Sequence, residues 1–369
     1  MKSQILIVGA GAIGRGYLPW IIDLSHHDLI FIDSNIDIVR KLQAKNSYIT
    51  YRVCGEEYEQ IEVPVFRAYL TEEFDLKEHQ NLTACFFSVG PRNVAEAATR
   101  LVGTDIPVII CENDPESTTH AARVLGHKRV YFAVPDVITS NTAPERLIKL
   151  DPLAVVTEQG EFFLEEGPLG LRGKFNFVPR DELIRAQWTP KLYLHNTPHS
   201  IAAYLGALIG ENYVHEAMKH QAISRIVEGS MMEMLQALKI QWDIPHSFLD
   251  WYANKELERF RCELLYDPIS RVAREPLRKL EKHGRLLGAA QMCLSLGVLP
   301  QNIIKGIMGA LLFKSEKDPD RYLSIMRDAM GTKAFNRYIL GLRPDEPLDL
   351  MLRLQNFDVE PIVQELLSS

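Results

Sequence analysis

The sequence predicts a two-domain protein: an α/β N-terminal domain with a Rossmann-type doubly wound sheet over residues 1–185, then a mostly α-helical domain over residues 186–369. Three observations carry this expectation. A strand-like run leads directly into a glycine fingerprint and a helix. Apolar runs then alternate with helical segments as far as about residue 136. Beyond Asp181 nearly every segment has helical periodicity. At 369 residues the chain is long enough to bury more than one core.

The first element is residues 4–8, Gln-Ile-Leu-Ile-Val, followed by Gly9-Ala10-Gly11-Ala12-Ile13-Gly14 and a helical segment to about residue 24. Gly9 permits the tight turn, Gly11 lets backbone approach a pyrophosphate, and Gly14 lets the helix lie close to the strand. Ala12 and Ile13 open that helix, whose N-terminus faces the phosphates. Glycines alone would fit any tight turn. A second strand, residues 29–32, ends in Asp33, at the spacing of the carboxylate that binds the adenosine ribose hydroxyls. A carboxylate there repels a 2′-phosphate, so the expected cofactor is NAD. Arg15 faces either the pyrophosphate or water and receives no role.

Residues 83–88 are apolar throughout, as a buried parallel strand should be, and end in Val89-Gly90-Pro91 before a helix over 93–101. Residues 107–111 end in Glu112-Asn113-Asp114, and residues 130–133 end in Pro135-Asp136. Ligands of such sheets bind beyond the carboxyl ends of the strands. Val89, Gly90, Asn113 and Asp136 are therefore expected on the cofactor side, although Asn and Asp are also ordinary turn residues. Residues 154–158 and 161–164 read as a hairpin around Gly160, and 167–179 as a loop. Helices are expected over 221–239, 248–260, 284–296, 301–312 and 320–330.

Composition narrows the function classes. The chain is 46% hydrophobic and 24% charged with a net charge of -7, which argues against a general nucleic-acid partner. No apolar run is long enough for a bilayer, and the first residues lead straight into a strand, so neither a membrane partner nor a signal peptide is expected and the protein is read as cytoplasmic. The five cysteines stand singly, without Cys-x-x-Cys, and read as buried reduced thiols.

Residues 191–200, Lys-Leu-Tyr-Leu-His-Asn-Thr-Pro-His-Ser, concentrate chemistry just beyond the domain boundary. On a helix Lys191, His195 and His199 follow at i, i+4 and i+8, with Asn196 beside them. Such a set can move a proton, hold an oxyanion and grip a hydroxyl, as alcohol oxidation without a metal requires. A polar helix face is the structural alternative. Pro198 implies either a kink or a new helix with Thr197 as N-cap and Pro198 first. His195 and His199 have a spacing a metal could use, but no cysteine or carboxylate ligand lies nearby in sequence. No metal is expected, and His195 reads as a packing or substrate-shell residue. A second cluster, Arg271, Arg274, Arg278 and Lys279, has Asp267, Glu275 and Glu281 available as partners on a solvated face.

Lys191, Asn196 and His199 match the K-x4-N-x2-H motif of the polyol-specific long-chain dehydrogenases, and the chain resembles that mannitol dehydrogenase family along nearly its whole length. The resemblance includes residues 9–16, Phe31-Ile-Asp33-Ser-Asn35, Ser88-Val-Gly-Pro91, Cys111-Glu-Asn113 and residues 271–280. It is nearest to the branch acting on a polyol phosphate. The resemblance implies metal-independent, NAD(P)-dependent interconversion of a polyol and a ketose, with mannitol 1-phosphate and fructose 6-phosphate as the leading pair. It implies Lys191 as general base, which at neutral pH requires desolvation or nearby cations. Asn196 and Asn113 would donate to the developing alkoxide, and His199 would hold a neighbouring hydroxyl. Asp136, Arg271 and Lys279 would bind substrate, and Arg278 would grip a phosphate. The chain departs from that branch at Pro135, at Pro198 and at His283-Gly284-Arg285, where the branch shows an Asp before the Arg; these departures bear on the substrate more than on the chemistry. An unphosphorylated polyol or a sugar acid is the alternative substrate. An NAD-binding regulatory protein is the alternative class, against which the joint presence of Lys191, Asn196, His199 and Asn113 speaks. A monomer or small homo-oligomer is expected.

Overall fold

The computed structural model describes residues 2–167, 170–314, 320–355 and 357–367. The chain divides into two compact units, Met1–Trp188 with Leu264–Tyr266, and Thr189–Glu263 with Asp267–Ser369. The short return segment 264–266 had no signal in the sequence. It is tied into the first unit by the Tyr58 hydroxyl, which donates to the Leu264 carbonyl at 2.7 Å, and by Ser140 Oγ, which donates to the Tyr266 carbonyl at 2.9 Å.

Among the described residues the first unit contains eleven strands: β1 (Ser3–Val8), β2 (His27–Asp33), β3 (Ser47–Cys54), β4 (Glu57–Pro64), β5 (Arg67–Leu70), β6 (Leu82–Phe87), β7 (Val108–Ile110), β8 (Val130–Asp136), β9 (Val156–Glu158), β10 (Glu161–Glu165) and β11 (Asn176–Val178). Eight form one sheet in the order β11-β10-β8-β7-β6-β1-β2-β5. From β5 to β8 every pairing is parallel, and the order reverses between β1 and β6, the switch point of a doubly wound sheet. Alternate residues of the strands serve two cores. Ile5, Ile7, Phe31 and Phe86 pack on one face, and Leu6, Val8, Ile30, Cys85 and Phe87 on the other. Covering both faces requires continuous apolar runs, which is why these strands were legible.

Three features differ from the sequence reading. The expected hairpin around Gly160 does not form. Its first arm, β9, pairs in parallel with β3, while its second, β10, pairs antiparallel with β8. A Cβ on Gly160 would lie 2.4 Å from the Asp136 carbonyl oxygen, so this glycine serves close packing against β8 rather than a hairpin turn. The expected loop 167–179 contains β11, parallel to β10; residues 168 and 169 lie outside the described part. Finally, β3, β4 and β9 make a separate three-stranded sheet that carried no expectation.

The second unit is helical, with long elements at Thr197–Leu208, Gln221–Gln241, His246–Arg261, Leu287–Ser295 and Gln301–Leu312. The first of these is buried from Thr197 to Gly206. Small residues make that possible. A Cβ on Gly206 would stand 2.6 Å from the Ala217 Cβ, and one on Gly306 would stand 2.3 Å from the Ile201 Cγ1, so neighbouring elements meet this helix almost backbone to side chain. Among the described residues no helix is long and apolar enough to cross a membrane.

Candidate active site

The glycine turn lies where β1 ends, at the switch point. Gly9 has φ +97, and a Cβ there would sit 2.4 Å from the Ser88 carbonyl oxygen. At Gly14 a Cβ would sit 1.9 Å from the Gly9 carbonyl oxygen, whereas at Gly11 it would meet nothing within 4 Å. Two glycines are thus required by the protein's own packing, and the third leaves open space where a ligand's phosphates could lie against backbone. Ala12 and Ile13 begin a π-helical turn, Ala12–Tyr17, whose first amides have no partner inside the helix.

Asp33 holds this turn in place as well as bordering it. Its Oδ2 accepts the Ala10 amide at 2.7 Å and its Oδ1 accepts the Asn35 amide at 2.7 Å. Each oxygen retains a lone pair for a ribose hydroxyl. Val89 and Gly90 follow β6, with Gly90 at φ +89. Their amides both donate to Oε1 of buried Glu112, at 2.7 and 2.8 Å. Glu112 shapes this loop and was not singled out from sequence, because its partners lie 22 and 23 residues upstream. Asn113 is exposed beyond β7, and Asp136 is the buried last residue of β8. Arg15, which received no role, is a buried strut. It donates from Nη1 to the Ala10 carbonyl at 2.7 Å and from Nε to the Leu153 carbonyl at 3.1 Å.

In the second unit, residues 191–196 form a π-helical turn that runs without a break into the helix Thr197–Leu208. Asn196 is helical at φ -66, ψ -32, so Thr197 is not an N-cap and Pro198 starts no new helix. The wider turn is how the chain accommodates the proline: the Thr197 amide donates five residues back, to the Leu192 carbonyl. Lys191, His195, Asn196 and His199 are all buried, with exposures of 5–6%. A merely solvated polar face is excluded.

His199 is oriented from a distance. Its Nε2 lies 2.8 Å from Asp267 Oδ2, and the other oxygen of Asp267 accepts Arg271 Nε at 2.8 Å and Nη2 at 2.5 Å. Burial alone would raise the Asp267 carboxyl, but the Arg271 charge and the His199 hydrogen bond outweigh it and hold the pKa at about 2. Burial lowers the His199 pKa, with Asp267 opposing. A neutral ring beside an ionised carboxylate carries its proton on Nε2, leaving Nδ1 as an acceptor for a hydroxyl. The His199 ring also stacks on Phe260 at 5.0 Å and 11°. His195 turns to a different carboxylate, that of fully buried Glu256, which also accepts Arg259 Nη1 at 2.6 Å.

The basic residues are placed unevenly. Arg271 is committed to Asp267. Arg278 pairs with Glu275 at 3.1–3.2 Å, the solvated-face partner foreseen for it. Lys279 is buried, with Nζ donating to the Tyr204 hydroxyl at 3.2 Å and to the carbonyls of Val272, at 2.5 Å, and Arg274. Burial and the surrounding arginines push its pKa well below the usual lysine range. All five cysteines are free thiols, but Cys54 is exposed and Cys262 half-buried, so the expectation of uniformly buried thiols fails at two positions.

Residues 185–352 match the mannitol dehydrogenase C-terminal domain. The whole fold is shared with a mannitol 2-dehydrogenase of Pseudomonas fluorescens, solved as a ternary complex with NAD and D-mannitol, at TM-score 0.80 and 15% identity over 100% of this chain and 95% of that one. A D-sorbitol dehydrogenase superposes at TM-score 0.66 and 14% identity, covering 100% and 92%. A dinucleotide-type turn in one unit and a buried Lys-Asn-His helix in a unit of this type define a polyol dehydrogenase. A mannitol-1-phosphate 5-dehydrogenase of Caldanaerobacter subterraneus is 30% identical over 97% of this chain and 98% of its own, and one from Clostridium acetobutylicum is 28% identical over 85% and 88%. The chain belongs to the mannitol dehydrogenase family.

Proposed function

We propose that the protein is an NAD-dependent dehydrogenase that interconverts a polyol phosphate and a ketose phosphate, with mannitol 1-phosphate and fructose 6-phosphate as the pair, and that it needs no metal. The observation that carries this reading is the burial of Lys191, Asn196 and His199 on one helical segment, with His199 held by Asp267 so that Nδ1 accepts. NAD would supply the hydride acceptor when bound. The open space at Gly11 and the carboxylate of Asp33 fit its pyrophosphate and its unphosphorylated adenosine ribose.

Lys191, as the free amine, takes the proton of the reacting hydroxyl as the C–H bond gives up its hydride, and becomes an ammonium; the carbinol becomes a ketone. The Asn196 amide donates to the oxygen as negative charge develops on it, and Asn113 is proposed as a second such donor. His199 Nδ1 accepts from an adjacent substrate hydroxyl and so sets which carbon faces Lys191. Asp136, Arg271 and Lys279 are proposed substrate contacts. A cytoplasmic location is proposed on the strength of the five free thiols.

The test is NADH absorbance from purified protein given NAD with mannitol 1-phosphate, mannitol and a panel of other polyols and aldonates. Turnover fastest with mannitol 1-phosphate is expected. Absence of turnover with every compound ends the catalytic reading, and NADP preferred to NAD ends the role given to Asp33.

A further inference from the structure

The loop between the short helix Pro276–Lys279 and the helix Leu287–Ser295 sets Arg285 among cations. The loop is tight. A Cβ on Gly284 would lie 2.8 Å from the Lys279 carbonyl oxygen, and the Leu286 amide donates to that same oxygen at 3.1 Å. The Arg285 carbonyl accepts the Thr197 hydroxyl at 2.6 Å, one residue from Asn196. Its backbone is therefore pinned between Lys279 and the segment that carries the proposed base.

The half-buried guanidinium is held differently. Among the described residues, no side chain or carbonyl hydrogen-bonds or ion-pairs with it. Arg278, Arg274 and Lys279 share its surroundings, and the nearby acid, Glu275, is engaged by Arg278. Burial first, and then the Arg278 charge, bring the Arg285 pKa down to about 9. A half-buried cation among cations is disfavoured unless an anion joins it. A planar guanidinium presents two parallel N–H groups, a match for two phosphate oxygens. Arg278 and Arg274 act on Arg285 as further positive charges, and Glu275, the acid that acts on it, is already engaged by Arg278, so a dianion is favoured over a single carboxylate.

We propose that Arg285, supported by Arg278 and Arg274, is the anion-binding arm of the substrate site and takes the phosphate of a polyol phosphate. This rests on the dehydrogenase reading above and deepens it by naming the residue that selects the substrate class. It also moves the phosphate grip from Arg278, whose fork is occupied by Glu275, to Arg285.

The experiment uses the full chain and two readouts. In a calorimetric titration with inorganic phosphate, the wild type should bind, Arg285→Gln should bind about 100-fold more weakly, and Arg285→Lys should recover part of the loss. In the enzyme assay, Arg285→Gln should lower the ratio of kcat/KM for mannitol 1-phosphate to that for mannitol by about 100-fold. Inorganic phosphate should compete with the polyol phosphate and not with NAD. Equal phosphate binding by wild type and Arg285→Gln, an unchanged substrate ratio, or competition against NAD would each overturn the proposal, as would a variant that loses activity on an aldonate instead. If the wild type turns over no polyol at all, the dehydrogenase reading falls while the phosphate titration still decides the anion site.

Discussion

The glycine turn and the Lys191–Ser200 segment enter their helices in the same way and work by opposite means. Each begins with a π-helical turn, Ala12–Tyr17 or Lys191–Asn196, and each then carries a proline at the start of the α-helix, Pro19 or Pro198. A proline cannot donate to the carbonyl four residues back, and in the first case that carbonyl, of Arg15, takes the Tyr48 hydroxyl instead at 2.7 Å. Beyond this point the two diverge. The turn presents backbone, and its requirements are local: space at Gly9, Gly11 and Gly14 and a carboxylate from the next strand. The helix presents buried side chains, whose orientation depends on Glu256, Asp267 and Arg285, 61 to 88 residues away. A backbone site can be written in six consecutive residues; a side-chain site needs the fold to deliver its partners.

Substitutions separate the two regions. Lys191→Ala should cost about 1,000-fold in kcat, the range of a lost general base, with NADH affinity measured by fluorescence titration nearly unchanged. A parallel loss of NADH binding would mean that the two regions are not independent. Asp267→Asn should be the most damaging change to stability, by about 3 kcal/mol in denaturant unfolding, because it removes a buried carboxylate and leaves half-buried Arg271 without its counter-ion. In surviving protein, KM for the polyol should rise more than kcat falls, since an amide, which can donate as well as accept, no longer fixes the His199 proton on Nε2.

Within the turn, Gly14→Ala and Gly11→Ala form a matched pair. The first forces a Cβ against the Gly9 carbonyl and should lower stability by about 1–3 kcal/mol as well as weakening NADH binding. The second meets no protein atom, so the melting temperature should hold while NADH binding weakens about tenfold. Equal melting temperatures for both variants would contradict the packing role of Gly14.

The smallest effect is with pH, and it belongs to the helix. The folded pKa of His199 is lowered from 6.5 by burial, so the unfolded chain binds its proton first and stability should decline as pH falls below about 6.5. Asp267 is depressed from 3.8 to about 2, so its contribution is complete above the ordinary carboxylate range and lost only as pH falls toward 2. Melting temperatures between pH 8 and 5 should therefore fall on the acid side, and less so in His199→Asn.

Much of this was legible from sequence because it is local. Strands buried on both faces show as unbroken apolar runs, and residues 4–8, 83–88 and 107–111 lie within a residue or so of β1, β6 and β7. The Gly160 region misled because a glycine between two short apolar runs has the same spelling whether it turns a hairpin or packs under β8. Pro198 misled in a different way: sequence offers a break or a kink, and a π turn is a third solution that local propensity does not display.

Sequence by itself determined the class of both domains and the glycine turn, and it pointed to the Lys-Asn-His set as the candidate site. These follow from periodicity, from glycine's missing Cβ, and from residue types whose chemistry is intrinsic. Only the tertiary structure decided that Arg278 is taken by Glu275 while Arg285, among the described residues, has no hydrogen-bonded or ion-paired acid, which carboxylate fixes the His199 proton, and that Arg15 and Glu112 are struts of the turn. The reason is physical: charge and hydrogen-bond satisfaction depend on what lies within about 3 Å in space, and the chain brings such partners in from up to 206 residues away.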